Sequence, residues 1–314
     1  MSAMRTITRS IVALSIGAWA VALQAAAPAA DASAGPETFA SPEKAAQALV
    51  AAAGTYDLGA LKVILGPDGV DLVVTEDEVQ SKNQSLAFAE KAKEKLRVAR
   101  DAKNPAVATI VVGKDDWPMP IPLVEREGKW VFDTKAGRQE ILFRRIGQNE
   151  LDAIQICHGY VEAQRDYASE RHDGSLLNEY AQRIVSTPGK HDGLAWQEPD
   201  GTWAGPVGEG IARVIAEGYS DRREPYHGYY FKVLKSQGPS APMGAMDFVV
   251  KGAMIGGFAL VAAPSDYEVT GIKTFIVSHT GTVYEKDLGQ DTLDKFKAMD
   301  TYDPDSSWHK VVEH

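Results

Sequence analysis

HGYYFKVLKS (227–236), DFVVKG (247–252), GFALVAAP (257–264) and GIKTFIVSHTGTVYEKDL (271–288) follow one another in the second half of the chain. Each run is short and rich in Val, Ile, Phe or Tyr, and Gly, Pro or Ser separates it from the next. Such runs read as consecutive antiparallel strands, because β-branched and aromatic side chains suit a pleated surface while Gly and Pro suit turns. The last run alternates: Ile272, Thr274, Ile276 and Ser278 point one way, Lys273, Phe275 and Val277 the other. His279-Thr280-Gly281 makes a tight turn, with Gly281 free to take positive φ, and Thr282 to Asp287 returns. GPSAPMG (238–244) is too rich in Pro and Gly for a strand. The spacing predicts a meander of three or four strands, with DFVVKG the poorest fit to the pattern.

A meander with an apolar face needs a cover, and the preceding residues supply one. Asn149 is placed to cap a helix over Glu150 to Ala168, with Asp152 at capping-box spacing. Leu151, Ile154, Cys157, Val161 and Ala168 fall near one face, flanked by Tyr160 and Tyr167, and Arg171-His172-Asp173-Gly174 ends the run. Glu179 to Arg183 begins a shorter segment, Ser186 to Glu209 reads as loop, and Gly210 to Gly218 as one more helix.

Further back, Ser41 N-caps a helix with Pro42 at its first position and a stripe of Ala45, Ala48, Leu49 and Ala52. Leu58 to Leu65 is a second helix, stopped by Gly66-Pro67, and Gly69 to Thr75 a brief turn or strand. Ser85 to Lys103 reads as a long solvated helix laced with i,i+4 charge pairs. Ala106 to Val112 is a strand, and the alternate prolines of WPMPIP (117–122) exclude a central one. Leu123 to Arg126 and Lys129 to Asp133 form a hairpin about Glu127-Gly128. Thr134 to Gly147 carries Arg138, Arg144 and Arg145, either an anion site or a connecting helix whose arginines pair with acids.

The chain has 314 residues, enough for two domains. Arg5 and Arg9, then an apolar run from Ser10 to Leu23 and small residues about Ala25, predict a cleaved secretory signal over 1–25 and a periplasmic protein. The apolar run is too short for a stable membrane span. Residues 26–38 form a disordered lead-in of Ala, Pro, Ser and Gly. With one cysteine, Cys157, no intramolecular disulfide can form. The net charge of −10 argues against nucleic acid or an anionic membrane as the main partner, local basic patches aside.

SPEKAAQALVAAAGTYDLGALKVILGPDG and LVEREGKWVFD resemble the cystatin-like, nuclear-transport-factor-two-like cone domains, which implies such a domain over 39–134. RRIGQNELDAIQICHGYVEAQRDYA, STPGKHDGLAW, PYHGYYFKVLKSQGP, GGFALVAAPSDYEVTGIKTFIVSHTGTVYEKDLG and DPDSSW together resemble the bacterial envelope family called domain of unknown function 2950. That family has no established activity, so the resemblance supplies no catalytic residues. A long helix, a Gly-Tyr-Tyr strand and the final hairpin are similar to the globular heads of type II pseudopilins, without their hydrophobic N-terminal helix. The fold expected is therefore α+β: a cystatin-like cone domain (39–134), a linker (135–148) and a pseudopilin-like lobe (149–314) with a long helix on an antiparallel meander.

Chemistry-bearing residues are sparse. No histidine has the spacing of a helical zinc motif, and G-x-S-x-G and the phosphate-binding loop are both absent. Cys157 and His158 are neighbours on a helix, about 100° apart, and cannot form a dyad; Cys157 reads as a small buried hydrophobe. His227 is a candidate ligand-binding residue or base. Trp117, Trp196 and Trp203 would suit a flat aromatic surface for peptide or glycan, with Trp117 equally suited to bracing the fold. Asp300, Asp303 and Asp305 form D-x-x-D-x-D where the pseudopilin resemblance implies a calcium loop. The function expected is a non-enzymatic envelope binding or assembly module, its partner an envelope protein or glycan; the alternative is a periplasmic hydrolase acting on cell wall or polysaccharide.

Overall fold

The computed structural model describes residues 35–73, 78–208, 210 and 225–312. The expected signal segment, most of the lead-in and the helix expected past Gly210 lie outside the described residues. The protein is α+β, with two hydrophobic cores joined by one helix.

In the first core, helices α1 (Pro42–Thr55), α2 (Leu58–Leu65) and α3 (Glu78–Glu94) cover a sheet of β1 (Leu96–Arg100), β2 (Val107–Val112), β3 (Trp117–Pro118), β4 (Leu123–Arg126) and β5 (Lys129–Phe132). Its path is β1-β2-β4-β5, with β3 also pairing β2. Ser41 caps α1 by accepting from Lys44 N at 3.3 Å, and Pro42 needs no donor at this position. Leu49, Leu61, Leu65, Ile110, Ile121, Leu123 and Phe132 are fully buried where helices and sheet meet. The helix expected over Ser85 to Lys103 stops at Glu94, and Leu96–Arg100 is a strand. Gly113, at φ 78° just past β2, donates its N–H to the carbonyls of Lys91 and Lys95 and so satisfies the end of the helix. Asp101 then closes the β1–β2 turn by accepting from Lys103 N and Asn104 N at 2.7 and 2.8 Å.

The connecting helix expected over Thr134 to Gly147 is present, with Arg138 paired to Asp71 and Arg144 to Glu140, but it does not stop short of the second lobe as a separate linker. Helix α4 runs unbroken from Thr134 to Tyr167, 34 residues, or about 50 Å at 1.5 Å per residue. Its N-cap is Asp133, which accepts from Ala136 N at 3.1 Å, and not Asn149. The first half of α4 leans on the first core, where Gly137 lies so close to Ile121 that a Cβ would sit 2.7 Å from its side chain. Asn149 and Glu150 instead dock the second half. Asn149 donates to Thr270 O at 2.8 Å, and the Glu150 carboxylate accepts from Ile272 N and Lys273 N at 2.9 Å each.

The meander has the order β18-β16-β15-β14-β9, antiparallel throughout: β9 (Tyr229–Leu234), β14 (Ala259–Pro264), β15 (Lys273–Ser278), β16 (Val283–Asp287) and β18 (His309–Lys310). The hairpin register, Val277 opposite Val283, follows the alternation in the sequence. One face of the sheet, including Phe275, Val277 and Leu260, meets α4. The other, with Val261, Ile276 and Ser278, is covered by α5 (Thr292–Ala298) and β17 (Thr301–Tyr302). DFVVKG is not part of the meander. It divides between β11 (Met246–Asp247) and β12 (Val249–Val250); β11 joins β10 (Ser236–Gln237) and β17, and β12 makes a hairpin with β13 (Ala253–Met254).

The face that α4 buries differs from the expected stripe. Ala153, Cys157, Tyr160, Val161, Gln164 and Tyr167 are buried, so the two tyrosines lie at the centre, while Leu151 is 57% exposed and Ile154 half-buried against the core. Within the stretch expected to be loop, β7 (Gly193–Gln197) and β8 (Trp203–Ala204) form, with β6 (Arg183–Val185) just before it, a small sheet that packs on α4. Gln164, fully buried, holds the approach to it: its amide donates to Ala181 O and accepts from Ala181 N, both at 2.8 Å.

Candidate functional site

The β7–β8 hairpin turns at Asp200-Gly201, where Asp200 accepts from Thr202 N at 2.9 Å and Gly201 takes φ 88°. Gln197 lies opposite Trp203, and Trp196 opposite Ala204. Successive residues of a strand face opposite ways, so the hairpin sends Trp196 and Trp203 to different faces. The three tryptophans expected to share one flat surface are therefore separated, and Trp117 lies on β3 of the first sheet.

Trp203 and Gln197 line a pocket of about 110 Å³, closed by Val185 and the loop Ser186-Thr187-Pro188-Gly189. The loop is held from beneath. Asp192 accepts from Thr187 N at 2.7 Å and from the Thr187 hydroxyl at 2.8 Å, with Arg183 3.5 Å away. Burial alone would raise the Asp192 carboxyl, but the Thr187 hydrogen bonds and the Arg183 charge outweigh it and hold the group below its ordinary range. Ser186 donates its N–H to Ala195 O and accepts from Gly193 N at 2.9 Å. A Cβ on Gly193 would come within 2.6 Å of Ser186 N, so this close approach requires glycine. Gln197 spends one amide hydrogen on Gly201 O at 3.0 Å, which fixes its side chain beside the indole.

Trp196 has a structural setting. Its indole N–H donates to Glu198 at 2.9 Å, and its ring packs 4.6 Å from His191 and 5.7 Å from His172. His172 stacks on Tyr167 at 3.9 Å, and the Tyr167 hydroxyl donates to His191 O. Burial, then the charges of Glu179 and Asp173, push that phenol well above its ordinary range. Asp173 accepts from His191 N at 2.8 Å, completing a wedge of rings against α4. Trp117, 38% exposed, sits under the Arg144 guanidinium at 5.7 Å, while Arg144 donates to Pro118 O at 2.7 Å and pairs with Glu140. Trp117 thereby braces the first core against α4.

His227 takes φ 47°, uncommon for a residue with a Cβ, and places Nδ1 2.5 Å from Asp152 Oδ2. Its ring lies 4.2 Å from Tyr226, and Gln148 donates to the other Asp152 oxygen at 2.8 Å. No Ser, Thr or Cys side chain among the described residues is hydrogen-bonded to the imidazole.

Asp300, Asp303 and Asp305 do not converge into a cage. Asp303 accepts from Ser240 N at 2.8 Å, Asp305 accepts from Ser307 N at 2.8 Å, and Asp300 reaches Lys232 at 3.5 Å. The carboxylates are thus engaged in closing loops and an ion pair. Among the described residues no group of three or more His, Cys, Asp or Glu side chains is placed to share a metal ion. None of the described helices is long and apolar enough to cross a membrane.

The pocket residues Ser186, Thr187, Gly189 and Gln197 carry a weak signal in the sequence. WQEPDGTW is a hairpin pattern with Asp-Gly at its turn, but it does not reveal that the Ser-Thr-Pro-Gly loop closes over Trp203. A family model described as protein of unknown function (DUF2950) matches residues 36–311. No curated protein and no solved structure matches the chain.

Proposed function

The chain belongs to the family described as protein of unknown function (DUF2950), and from that footing we propose that it is an exported, non-enzymatic binding module of the cell envelope whose ligand is a glycan. The observation that carries this is the pocket between Trp203, Gln197 and the Ser186–Gly189 loop. An indole face suits the apolar C–H face of a sugar ring, and an amide and a hydroxyl beside it suit its polar edge. At about 110 Å³ the pocket is smaller than the roughly 300 Å³ at which ligand-enclosing pockets begin. It therefore takes a single substituent of a larger polymer whose body lies outside, a reading that suits a repeating polysaccharide. The signal-like residues 1–25 support export to the periplasm. The helices and sheet of 39–134 support kinship with cystatin-like domains, and the helix lying on a meander supports kinship with pseudopilin heads.

The test is co-sedimentation of the wild-type protein and Trp203→Ala with insoluble cell-wall polysaccharide. Binding should weaken at least about tenfold in the variant, equivalent to about 1.4 kcal/mol. Equal binding by both proteins, or none by either, would refute the proposal.

One observation favours a second reading, a hydrolase. His227 with Asp152 has the base-and-orienter geometry of a catalytic dyad, held in a left-handed backbone conformation. Release of soluble sugar from the same polysaccharide, abolished in Asp152→Asn, would select that reading over simple binding.

A further inference from the structure

The side of α4 that is buried in the second core does not end where that core ends. Ile146, Ala153, Cys157, Tyr160 and Gln164 are buried at helical spacing, and the same side continues toward the N-terminus as Leu142, Gln139, Arg138 and Lys135. Over this earlier stretch it borders the first core, against which Leu72 packs. Leu72, from the 3-10 turn Val70–Leu72, stands beside it, and between them lies an open groove of about 440 Å³ lined by Leu72, Lys135, Arg138, Ile141, Leu142 and Arg145.

Three features give this groove a chemistry. Its floor is apolar, made by Leu72, Ile141 and Leu142. Its rim is cationic: Lys135 and Arg145 are exposed and, among the described residues, neither has an acidic partner, on a chain whose net charge is −10. Its wall is fixed, because Arg138 grips both oxygens of Asp71 at 2.8 Å and donates to Asp68 O at 2.9 Å, stapling the 3-10 turn to the helix. The Arg138 hydrogen bond holds the Asp71 carboxyl below its ordinary range, so the staple persists into mild acid.

An apolar trough with unneutralised cations at its rim is complementary to an apolar chain that ends in an acid. Lys135 and Arg145 are ten residues apart, about 15 Å along the helix axis, the scale of a medium acyl chain. The volume falls within the roughly 300–1,000 Å³ of small-ligand sites. The overall negative charge opposes docking to an extended anionic bilayer, whereas one ligand molecule feels mainly the local cations. We propose that this groove binds a single-chain anionic amphiphile, a fatty acid or lysophospholipid molecule taken up one at a time, at a site separate from the Trp203 pocket.

The experiment is calorimetric titration of the full chain with lysophosphatidylglycerol below its micellar concentration. The expected result is one molecule bound per chain, at least tenfold more weakly by Lys135→Glu/Arg145→Glu and unchanged in Lys114→Glu, a charge reversal elsewhere on the surface. Dodecyl maltoside, a neutral amphiphile, should bind at least tenfold more weakly than the anionic one. Both rim positions are exposed, so the double variant should melt with the wild type; Leu142→Asp, which alters the floor, gives an independent second loss of binding. Equal affinity for neutral and anionic amphiphiles, insensitivity to the rim reversal, or binding only of an acidic amphipathic peptide in place of the lipid would overturn the proposal.

Discussion

Replacing Gln164 by leucine should destabilise the second core more than loss of one side chain's packing would suggest. The amide donates to Ala181 O at 2.8 Å and to the Tyr160 hydroxyl at 2.9 Å, and accepts from Ala181 N at 2.8 Å, all in a fully buried setting. Leucine is apolar and of similar size but leaves the Ala181 N–H and C=O without these partners. A buried polar group left unpaired costs about 1–3 kcal/mol, so the two together give about 2–6 kcal/mol. Gln164→Glu separates hydrogen bonding from size. When protonated, the introduced carboxyl can donate to Ala181 O and accept from Ala181 N; when ionised, it points a charge at a carbonyl in a dry site. Burial should raise its folded pKa by about 3 units above the unfolded value near 4.3, at about 1.4 kcal/mol per unit. With the folded pKa raised, its contribution is fully present below about pH 4.3 and is lost as pH rises through the folded value. Urea unfolding followed by circular dichroism, with wild type subtracted at each pH, should show a penalty of about 4 kcal/mol at pH 8 that shrinks toward pH 4.5. A leucine variant as stable as wild type, or a pH-independent glutamate penalty, would refute the reasoning.

Other consequences can be measured on the same protein. Gly137→Ala should lower the melting temperature because its Cβ would meet Ile121 at 2.7 Å, whereas Gly147→Ala, with nothing within 4 Å, should stabilise the helix by up to about 1 kcal/mol. Ile154→Asp places a charge against the second core and should cost about 1–3 kcal/mol in a thermal melt, while Gln155→Asp, on the exposed side, should stay within about 0.5. Burial pushes the Cys157 thiol up to about 12, so it should resist a thiol reagent at pH 8 in the folded protein and react once urea unfolds it.

The parts of this fold that the sequence reveals are those with an unambiguous period. The strand from Ile272 to Ser278 and the short turn at Gly281 are read directly, and the register of the hairpin follows from that turn. Leu96–Arg100 escapes because Leu-Arg-Val-Ala-Arg continues a Lys- and Glu-rich helix with only one β-branched residue; tertiary pairing with β2 overrides local preference. The 134–147 helix reads as separate from the next one because Asn149 imitates a cap, whereas Asn149 docks the meander through Thr270 O and the helix runs straight through. Leu151 misleads for a related reason: an apolar residue on a long helix is assigned to the stripe, while Tyr160 and Tyr167, which bury far more surface, set the true face. At the candidate site Trp203 is visible in the sequence, but Ser186–Gly189 meets it only through the parallel pairing of β6 with β7, a contact no local pattern encodes.

Glycan binding at the Trp203 pocket is tested most directly by following the indole N–H resonances during titration with soluble cell-wall oligosaccharide. A saturable shift of the Trp203 signal is expected, with Trp117 and Trp130 unmoved because they sit on β3 and β5 of the first sheet, and loss of saturation in Gln197→Ala. No shift at Trp203 at millimolar oligosaccharide, or a response confined to Trp117, would contradict it.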